Sequence, residues 1–214
     1  MRLNFRTGGF FGQPASPRRR HCRARRYHLV VRRFIAALCC AILAACAAHS
    51  QSLHGTELSP AKPAARFTLT DQHGSAYTLG ENRGQAVALY FGFSHCKDVC
   101  PQTLALLGKA RTQAHLTPGR LRIVMVTVDP ARDTPSALAA FIKRVGVQAT
   151  ALTGTRAQLQ RVYKAYGVDV EPQKDDIGHT DMIYVIDAAG RLREVFGPDM
   201  PLHAVADDLE AIVD

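Results

Sequence analysis

The sequence predicts an α/β fold with a mixed central sheet flanked by helices. Two nearly continuous apolar runs, 86–93 and 121–128, are typical of strands that are buried on both faces. Segments with apolar residues at helical spacing alternate with these strands. The chain has 214 residues, of which 47% are hydrophobic and 21% charged, and this composition indicates a globular protein rather than a disordered one.

The other elements follow from turn and capping residues. The predicted strands are 66–70, 76–79, 86–93, 121–128, 149–152, 181–187 and 191–196. The predicted helices cover about 101–115, the stretch from Thr134 to Gly146, the stretch from Thr155 to Gly167, and the residues from about 201 onward.

Two connections complete this order. Residues 168–178 are predicted to be a polar loop, and residues 188–190 to be the turn of a hairpin. The order β-α-β-α-β-α-β-β-α, with that hairpin and a closing helix at the C-terminal end, fits a thioredoxin-like fold with an inserted helix.

The positive charge of the chain is confined to its first 45 residues. The net charge is +9, but residues 1–45 carry ten arginines and no acidic residue. The rest of the chain carries 17 lysines and arginines against 18 acidic residues. A nucleic-acid-binding face on the globular part is therefore not predicted.

The N-terminal region has the pattern of an export signal. An apolar run of 15 residues, 34–48, follows the arginines and is shorter than the roughly 20 residues of a membrane-spanning helix. Leu43-Ala44-Ala45-Cys46 resembles a bacterial lipoprotein cleavage site, at which Cys46 would be lipidated; the alternative is an uncleaved short anchor. We expect a leader over 1–45, a flexible tether over 46–65 and a domain over 66–214, held at the periplasmic face of a bacterial membrane.

Two thiols are the main chemical feature of the predicted domain. Cleavage of the leader and acylation of Cys46 would leave Cys96 and Cys100 as the free thiols. They are placed where a buried strand leads into a helix, and a helix N-terminus lowers the pKa of a thiol. Outside the cytosol such a pair can bind a soft metal, act as a redox dithiol, or form a disulfide that only staples the loop.

His179 is the candidate third ligand of a metal site. In a thioredoxin-like fold its position is expected near the N-terminal end of the helix that carries the cysteines, although taken alone it is more typical of an ordinary surface histidine. Two thiolates and one imidazole suit Cu(I) in a three-coordinate site, whereas Zn²⁺ prefers a fourth ligand.

Three separated segments resemble the SCO/SenC family over about residues 60–214. They are Phe-Gly-Phe-Ser-His-Cys-Lys-Asp-Val-Cys-Pro at 91–101, Val-Thr-Val-Asp-Pro-Ala-Arg-Asp-Thr-Pro at 126–135 and Asp-Ile-Gly-His-Thr at 176–180. The resemblance implies a thioredoxin-fold protein that binds copper through Cys96, Cys100 and His179 and assists cytochrome c oxidase assembly. One departure is Lys97, which stands where the family usually has proline; a cation beside two thiolates favours the thiolate form.

Two aspartates also match a family segment. Asp129 ends a central strand, at the edge of the sheet where α/β sites gather, so a functional role and a turn with Pro130 are both open for it. Asp133 is expected to support the start of the next helix.

The leading hypothesis is a copper metallochaperone rather than an enzyme. The reduced dithiol would capture copper with His179 and pass it by ligand exchange to a copper-accepting subunit of a membrane oxidase. A thiol reductant would be needed to reopen a Cys96–Cys100 disulfide. The alternative is a thiol–disulfide oxidoreductase, although the chain lacks tryptophan and has three residues between the cysteines. A peroxiredoxin is not predicted, because Phe93 stands where that pattern needs threonine or serine.

Overall fold

The structure, a computed structural model, describes residues 52–81, 84–172 and 177–213. The predicted leader, the predicted lipidation site Cys46 and Asp176 of the third family segment lie outside these residues. Within the described ranges, no helix combines the length and the apolar character that crossing a membrane requires.

The elements alternate largely as the sequence predicts. The strands of the described part are β1 (Thr56–Pro63), β2 (Phe67–Asp71), β3 (Ala76–Leu79), β4 (Ala86–Gly92), β5 (Leu121–Thr127), β6 (Thr150–Thr153), β7 (Val170–Pro172), β8 (Ile177–His179), β9 (Ile183–Ile186) and β10 (Arg191–Phe196). The helices are α1 (Val99–Gln113), α2 (Pro135–Val145), α3 (Arg156–Tyr166) and α4 (Leu202–Val213).

Eight of these strands form one mixed sheet in the order β1-β10-β9-β4-β5-β6-β2-β3. The β4–β5 and β5–β6 pairs are parallel, whereas β9 and β10 form the predicted hairpin and pair antiparallel, with β9 next to β4. Every residue of β4 is buried, as expected for a central strand covered on both faces. The predicted fold class, a thioredoxin-like mixed sheet flanked by helices, is confirmed.

The predicted helix signals also act as expected. The Thr134 hydroxyl accepts a hydrogen bond from the backbone N–H of Ala137, and Thr155 forms a capping box with Gln158. Gly146 ends α2 with a φ of 72°, in the left-handed region that favours glycine.

The flexible-tether prediction does not hold for residues 56–63. These residues form β1, which pairs antiparallel with β10 from Thr56 opposite Val195 to Pro63 opposite Arg191. β1 lies at the edge of the sheet, and an edge strand tolerates proline because one of its sides needs no ladder partner. Because proline and serine are more typical of loops than of strands, the sequence did not predict this strand.

Two buried carboxyl groups fasten the residues just before β1. The backbone N–H of His54 donates to Asp208 Oδ2 at 2.9 Å, and that of Gly55 donates to Glu194 Oε1 at 2.8 Å. Burial and the neighbouring Asp208 carboxylate raise the pKa of Glu194 to about 8. Glu194 and Asp208 are both almost fully buried, so the pair holds a proton that free carboxylates would release.

The predicted loop over 168–178 is partly structured. β7 pairs antiparallel with β8, and Val170 lies opposite His179. His179 is therefore the last residue of a short strand of its own and does not belong to the central strand that follows.

Candidate metal centre

The two cysteines lie where β4 leads into α1, as the sequence predicts. The backbone N–H of Cys96 donates to the Phe93 carbonyl at 3.4 Å, closing the turn that follows the strand. Cys100 lies in the first turn of α1, and its backbone N–H donates to the Cys96 sulfur at 3.3 Å. An amide of the helix N-terminus thus points at the sulfur of Cys96.

The two thiols are unpaired and differ in depth. Cys96 is half-buried, whereas Cys100 is 0% exposed. Burial, followed by the neighbouring Cys96, raises the pKa of Cys100 to about 12. The prediction that the helix N-terminus lowers the pKa of the thiols is therefore wrong for Cys100, because desolvation outweighs the helix dipole at that depth.

A glycine at the end of β4 makes room for the deep thiol. A Cβ at Gly92 would lie 3.1 Å from Cys100 Sγ and 2.7 Å from Cε1 of Tyr90. The Cys100 sulfur therefore sits directly over the strand, in space that any other residue at position 92 would occupy. The sequence carried a signal for this contact, since glycine inside a buried strand often marks a close approach.

We expect Gly92→Ala to lower the free energy of unfolding by about 1–3 kcal/mol, since overpacking a rigid core forces the ring or the helix to move. Urea denaturation of the reduced protein measures this change. Gly119→Ala is the matched control, because a Cβ there meets no atom closer than 3.7 Å. Equal stability of the two variants would contradict the tight contact at Gly92.

His179 lies beside the same turn. Its ring packs edge-on against Phe93, with centroids 6.1 Å apart and an interplanar angle of 85°. Its Nδ1 lies 3.0 Å from the carbonyl oxygen of Thr180. A carbonyl only accepts, so Nδ1 donates, and Nε2 then carries the lone pair that a metal ligand needs.

The structure brings the two cysteines together but does not complete a three-ligand cluster with His179. Among the described residues, the donor atoms that gather within 4.8 Å of one another belong to His95, Asp129 and Asp133. The imidazole of His179 touches Phe93, three residues before Cys96, and so borders the turn that carries the thiols. His179 as third ligand stays a prediction.

Asp133 is the centre of a buried hydrogen-bond network under the cysteine turn. Its carboxylate is 0% exposed and accepts from the backbone N–H of Ser94 at 3.1 Å, from the Ser94 hydroxyl at 2.5 Å and from the Thr127 hydroxyl at 2.5 Å. The expectation that Asp133 supports the start of α2 is not what the structure shows, since Thr134 caps that helix. Asp133 instead ties the turn before Cys96 to the end of β5.

His95 and Asp129 complete this network. His95 Nδ1 lies 3.1 Å from the Ser94 hydroxyl and 3.8 Å from Asp133. Asp129 pairs with Arg132, and its carbonyl accepts from the backbone N–H of Asp133, which confirms the turn. Both oxygens of Asp133 are engaged and Arg132 neutralises Asp129, so we interpret the group as a structural network rather than a cation site.

The fold and the site together define a thioredoxin-like dithiol protein. An accessible sulfur and a buried sulfur at one helix N-terminus can bind a soft metal ion or close into a disulfide. The sequence profile of the SCO1/SenC family matches residues 55–214. This chain belongs to the SCO1/SenC family.

Curated relatives share about a third of their aligned residues with this chain. The mitochondrial SCO1 homologue of Mus musculus is 31% identical over 158 residues, which cover 68% of this chain and 54% of the mouse protein. The SCO2-like protein of Rickettsia prowazekii is 33% identical over 141 residues, covering 63% of this chain and 69% of that protein. The match with the human SCO1 homologue covers 46% of its length, so the chain spans about half the length of several of these relatives.

Solved structures of the family share the fold. ScoI of Arabidopsis thaliana with copper bound superposes with a TM-score of 0.65 and 25% identity, covering 70% of this chain and 97% of that chain. ScoI of Bradyrhizobium japonicum with copper bound superposes with a TM-score of 0.62 and 29% identity, and the match covers 70% of this chain and 99% of that chain. Apo Sco1 of Thermus thermophilus superposes with a TM-score of 0.67 and 28% identity, and the match covers 76% of this chain and 98% of that chain.

Proposed function

We propose that this protein captures copper through Cys96, Cys100 and His179 and passes it to an acceptor during cytochrome c oxidase assembly. The observation that carries the proposal is the paired thiols at the N-terminus of α1, with the His179 ring against the same turn. Membership of the SCO1/SenC family and the copper-bound ScoI structures support copper as the cargo. The oxidase-assembly role rests on the resemblance to that family.

The donor set fits a soft ion. Thiolate sulfur and imidazole nitrogen favour Cu(I) over hard cations, which prefer oxygen ligands. Binding removes the thiol protons, and burial raises the pKa of Cys100, so removing its proton costs more than it would in water. Lys97, the residue after Cys96, is exposed and adds a positive charge to this turn.

The acceptor takes the ion by ligand exchange. Its own thiolates or imidazoles replace those of this site one at a time, so the ion is never released into water. Oxidation to a Cys96–Cys100 disulfide removes both sulfur ligands, and a thiol reductant restores them. We further propose that the protein is exported and acts at the periplasmic face of the membrane, anchored by a lipid on Cys46.

A thiol–disulfide oxidoreductase is the second candidate. The observation that favours it is the contrast between an accessible thiol, Cys96, and a buried one, Cys100, because one accessible sulfur suffices to form a mixed disulfide. Disulfide-reducing turnover that survives His179→Ala would support this candidate over copper capture.

We expect His179→Ala to weaken Cu(I) binding by about 100-fold, since the binding energy of thiolate and imidazole metal sites amounts to about 3 kcal/mol per ligand. Competition of the reduced protein with a chromophoric Cu(I) chelator measures the affinity. The matched control is His73→Ala, which removes an exposed imidazole in the β2–β3 turn. Unchanged affinity in His179→Ala would remove this histidine from the site, and equal loss in both variants would show that the effect is not specific.

A further inference from the structure

The face of β4 that meets Cys100 also carries Tyr90. Residues two apart on a strand point to the same side, so Tyr90 and Gly92 share a face. The Cβ position of Gly92 is 3.4 Å from Cζ of Tyr90, the carbon that bears the hydroxyl, and 3.1 Å from Cys100 Sγ. The phenol ring and the sulfur therefore border the same small space over Gly92.

Asp181 reaches this face from the neighbouring strand. Tyr90 pairs with Ile183 in the antiparallel β4–β9 ladder, and continuing that register places Asp181 opposite Gly92. Its Oδ1 is buried and, within the described residues, makes no hydrogen bond. Three polar groups thus converge beneath α1, namely a thiol, a phenol and a carboxylate.

The Tyr90 hydroxyl is the unexplained group among them. Tyr90 is 0% exposed, and within the described residues its hydroxyl makes no hydrogen bond of good geometry, although Cys100 and Asp181 are its polar neighbours. A buried hydroxyl that is not fully hydrogen-bonded costs stability, so its presence calls for an explanation. The other buried phenols differ: Tyr184 donates to the Tyr166 carbonyl at 2.9 Å, and Tyr163 donates to the Thr127 carbonyl at 2.6 Å.

We propose that Tyr90 is a positioning residue of the copper site, whose hydroxyl donates a hydrogen bond to the Cys100 sulfur when that sulfur is a thiolate ligand. The inference rests on the proposed function, because it assigns the hydroxyl a role in holding the cargo's buried ligand. A charged sulfur accepts such a bond more strongly than a neutral thiol does. In the metal-free protein the neutral Cys100 thiol accepts from this hydroxyl only weakly, and the bond strengthens when the sulfur binds copper as a thiolate.

The electrostatics of the cluster agree with this geometry. Burial raises the pKa of Tyr90 far above its ordinary range, and Cys100 and then Asp181 raise it further. The hydroxyl of Tyr90 in turn lowers the pKa of Cys100, and so partly offsets the increase that burial causes.

Tyr90→Phe tests the inference because it removes one oxygen and keeps the ring that packs on Gly92. Tyr184→Phe is the matched control, since it also deletes a buried phenolic hydroxyl, from β9 and from the opposite face of the sheet. Three quantities are measured: Cu(I) affinity by chelator competition, the thiolate-to-Cu(II) absorption band, and the dithiol–disulfide equilibrium of the metal-free protein with dithiothreitol. In that equilibrium, disulfide formation passes two electrons and two protons to oxidised dithiothreitol.

We expect Tyr90→Phe to lower Cu(I) affinity about tenfold, the effect of losing one hydrogen bond to a charged group. The absorption band should move to longer wavelength, because a sulfur without the hydrogen bond gives up its electron more easily. The metal-free equilibrium should move a few-fold toward the disulfide, whose sulfurs are the poorer acceptors. Tyr184→Phe should lower stability and leave all three quantities as in the wild type.

The inference is overturned if Tyr90→Phe matches Tyr184→Phe in all three quantities. Wild-type protein that binds no copper would overturn the proposed function instead, and the dithiothreitol equilibrium would still decide the role of Tyr90. If Tyr90→Phe does not fold, 3-fluorotyrosine at position 90 provides the test. Its more acidic phenol is the stronger donor, so the equilibrium should move toward the dithiol, and no shift would refute the hydrogen bond.

Discussion

Cys100→Ser should lower the affinity for Cu(I) by about 1,000-fold or more, the largest effect expected of any single change in this protein. Serine keeps the size of the side chain but replaces a soft sulfur ligand with a hard oxygen that keeps its proton. Cys96→Ser should have an effect of the same order. Chelator competition on the reduced protein measures both affinities.

A buried residue further along α1 provides the control for this experiment. Ala110→Ser also places a hydroxyl on the buried face of this helix, away from both cysteines, and should leave the Cu(I) affinity unchanged. A Cys100→Ser protein that still binds Cu(I) as the wild type does would refute the copper site and with it the proposed function.

The second large effect is a dependence of stability on pH. It arises from Glu194 and Asp208, the buried carboxyl pair that binds the residues before β1. The free energy of unfolding should fall by about 2–4 kcal/mol as the pH rises from about 5 to about 8. In this range the folded protein keeps a proton on Glu194, whose pKa is about 8, while the unfolded chain, with the ordinary value of 4.5, has lost it. Because the unfolded state binds fewer protons, stability declines with rising pH, and below about pH 4.5 the contribution is fully present.

Other titratable groups around the pair act in the same direction. Asp208 and then Asp207 raise the pKa of His54, so its favourable charge is present below pH 6.5 and is lost as the pH rises. Glu57 on β1 adds negative charge that opposes ionisation of Glu194. The ring of His203 contacts that of His54, with centroids 6.5 Å apart.

Glu194→Gln isolates the contribution of the carboxyl group, because an amide can accept from Gly55 and never ionises. Urea denaturation between pH 5 and 9 should show the variant close to the wild type at the acid end and more stable at the alkaline end. Glu210→Gln, on an exposed face of α4, is the control and should follow the wild-type profile. Parallel profiles for the wild type and Glu194→Gln would show that Glu194 holds no proton at neutral pH.

The central part of the fold could be predicted because its signals are local. The apolar runs of β4 and β5 and the caps at Thr134 and Thr155 depend on neighbouring residues alone. β1 could not be predicted in the same way, since its pairing with β10 joins residues more than a hundred positions apart and its own residues are mostly exposed. The short β7–β8 ribbon has too few residues to show a period.

The features of the site also differ in whether local sequence predicts them. Cys96 and Cys100 are close in sequence, and their spacing before a predicted helix indicates a dithiol site. The network of Asp133 with Ser94 and the position of Tyr90 beneath Cys100 depend on how distant strands align, and no local pattern encodes that alignment. Depth likewise follows from packing, which is why the raised pKa of Cys100 could not be inferred from its place at a helix N-terminus.

Under the proposed function, the unequal depth of the two sulfurs gives the transfer of copper an order. A visiting molecule reaches the half-buried Cys96 before Cys100. Val99, three residues after Cys96, is the one large hydrophobic side chain of the described residues that is exposed, at 41%. Cys100 is 0% exposed and lies deeper than Cys96. If the pair carries copper as we propose, an acceptor would therefore replace the Cys96 sulfur first and the Cys100 sulfur last.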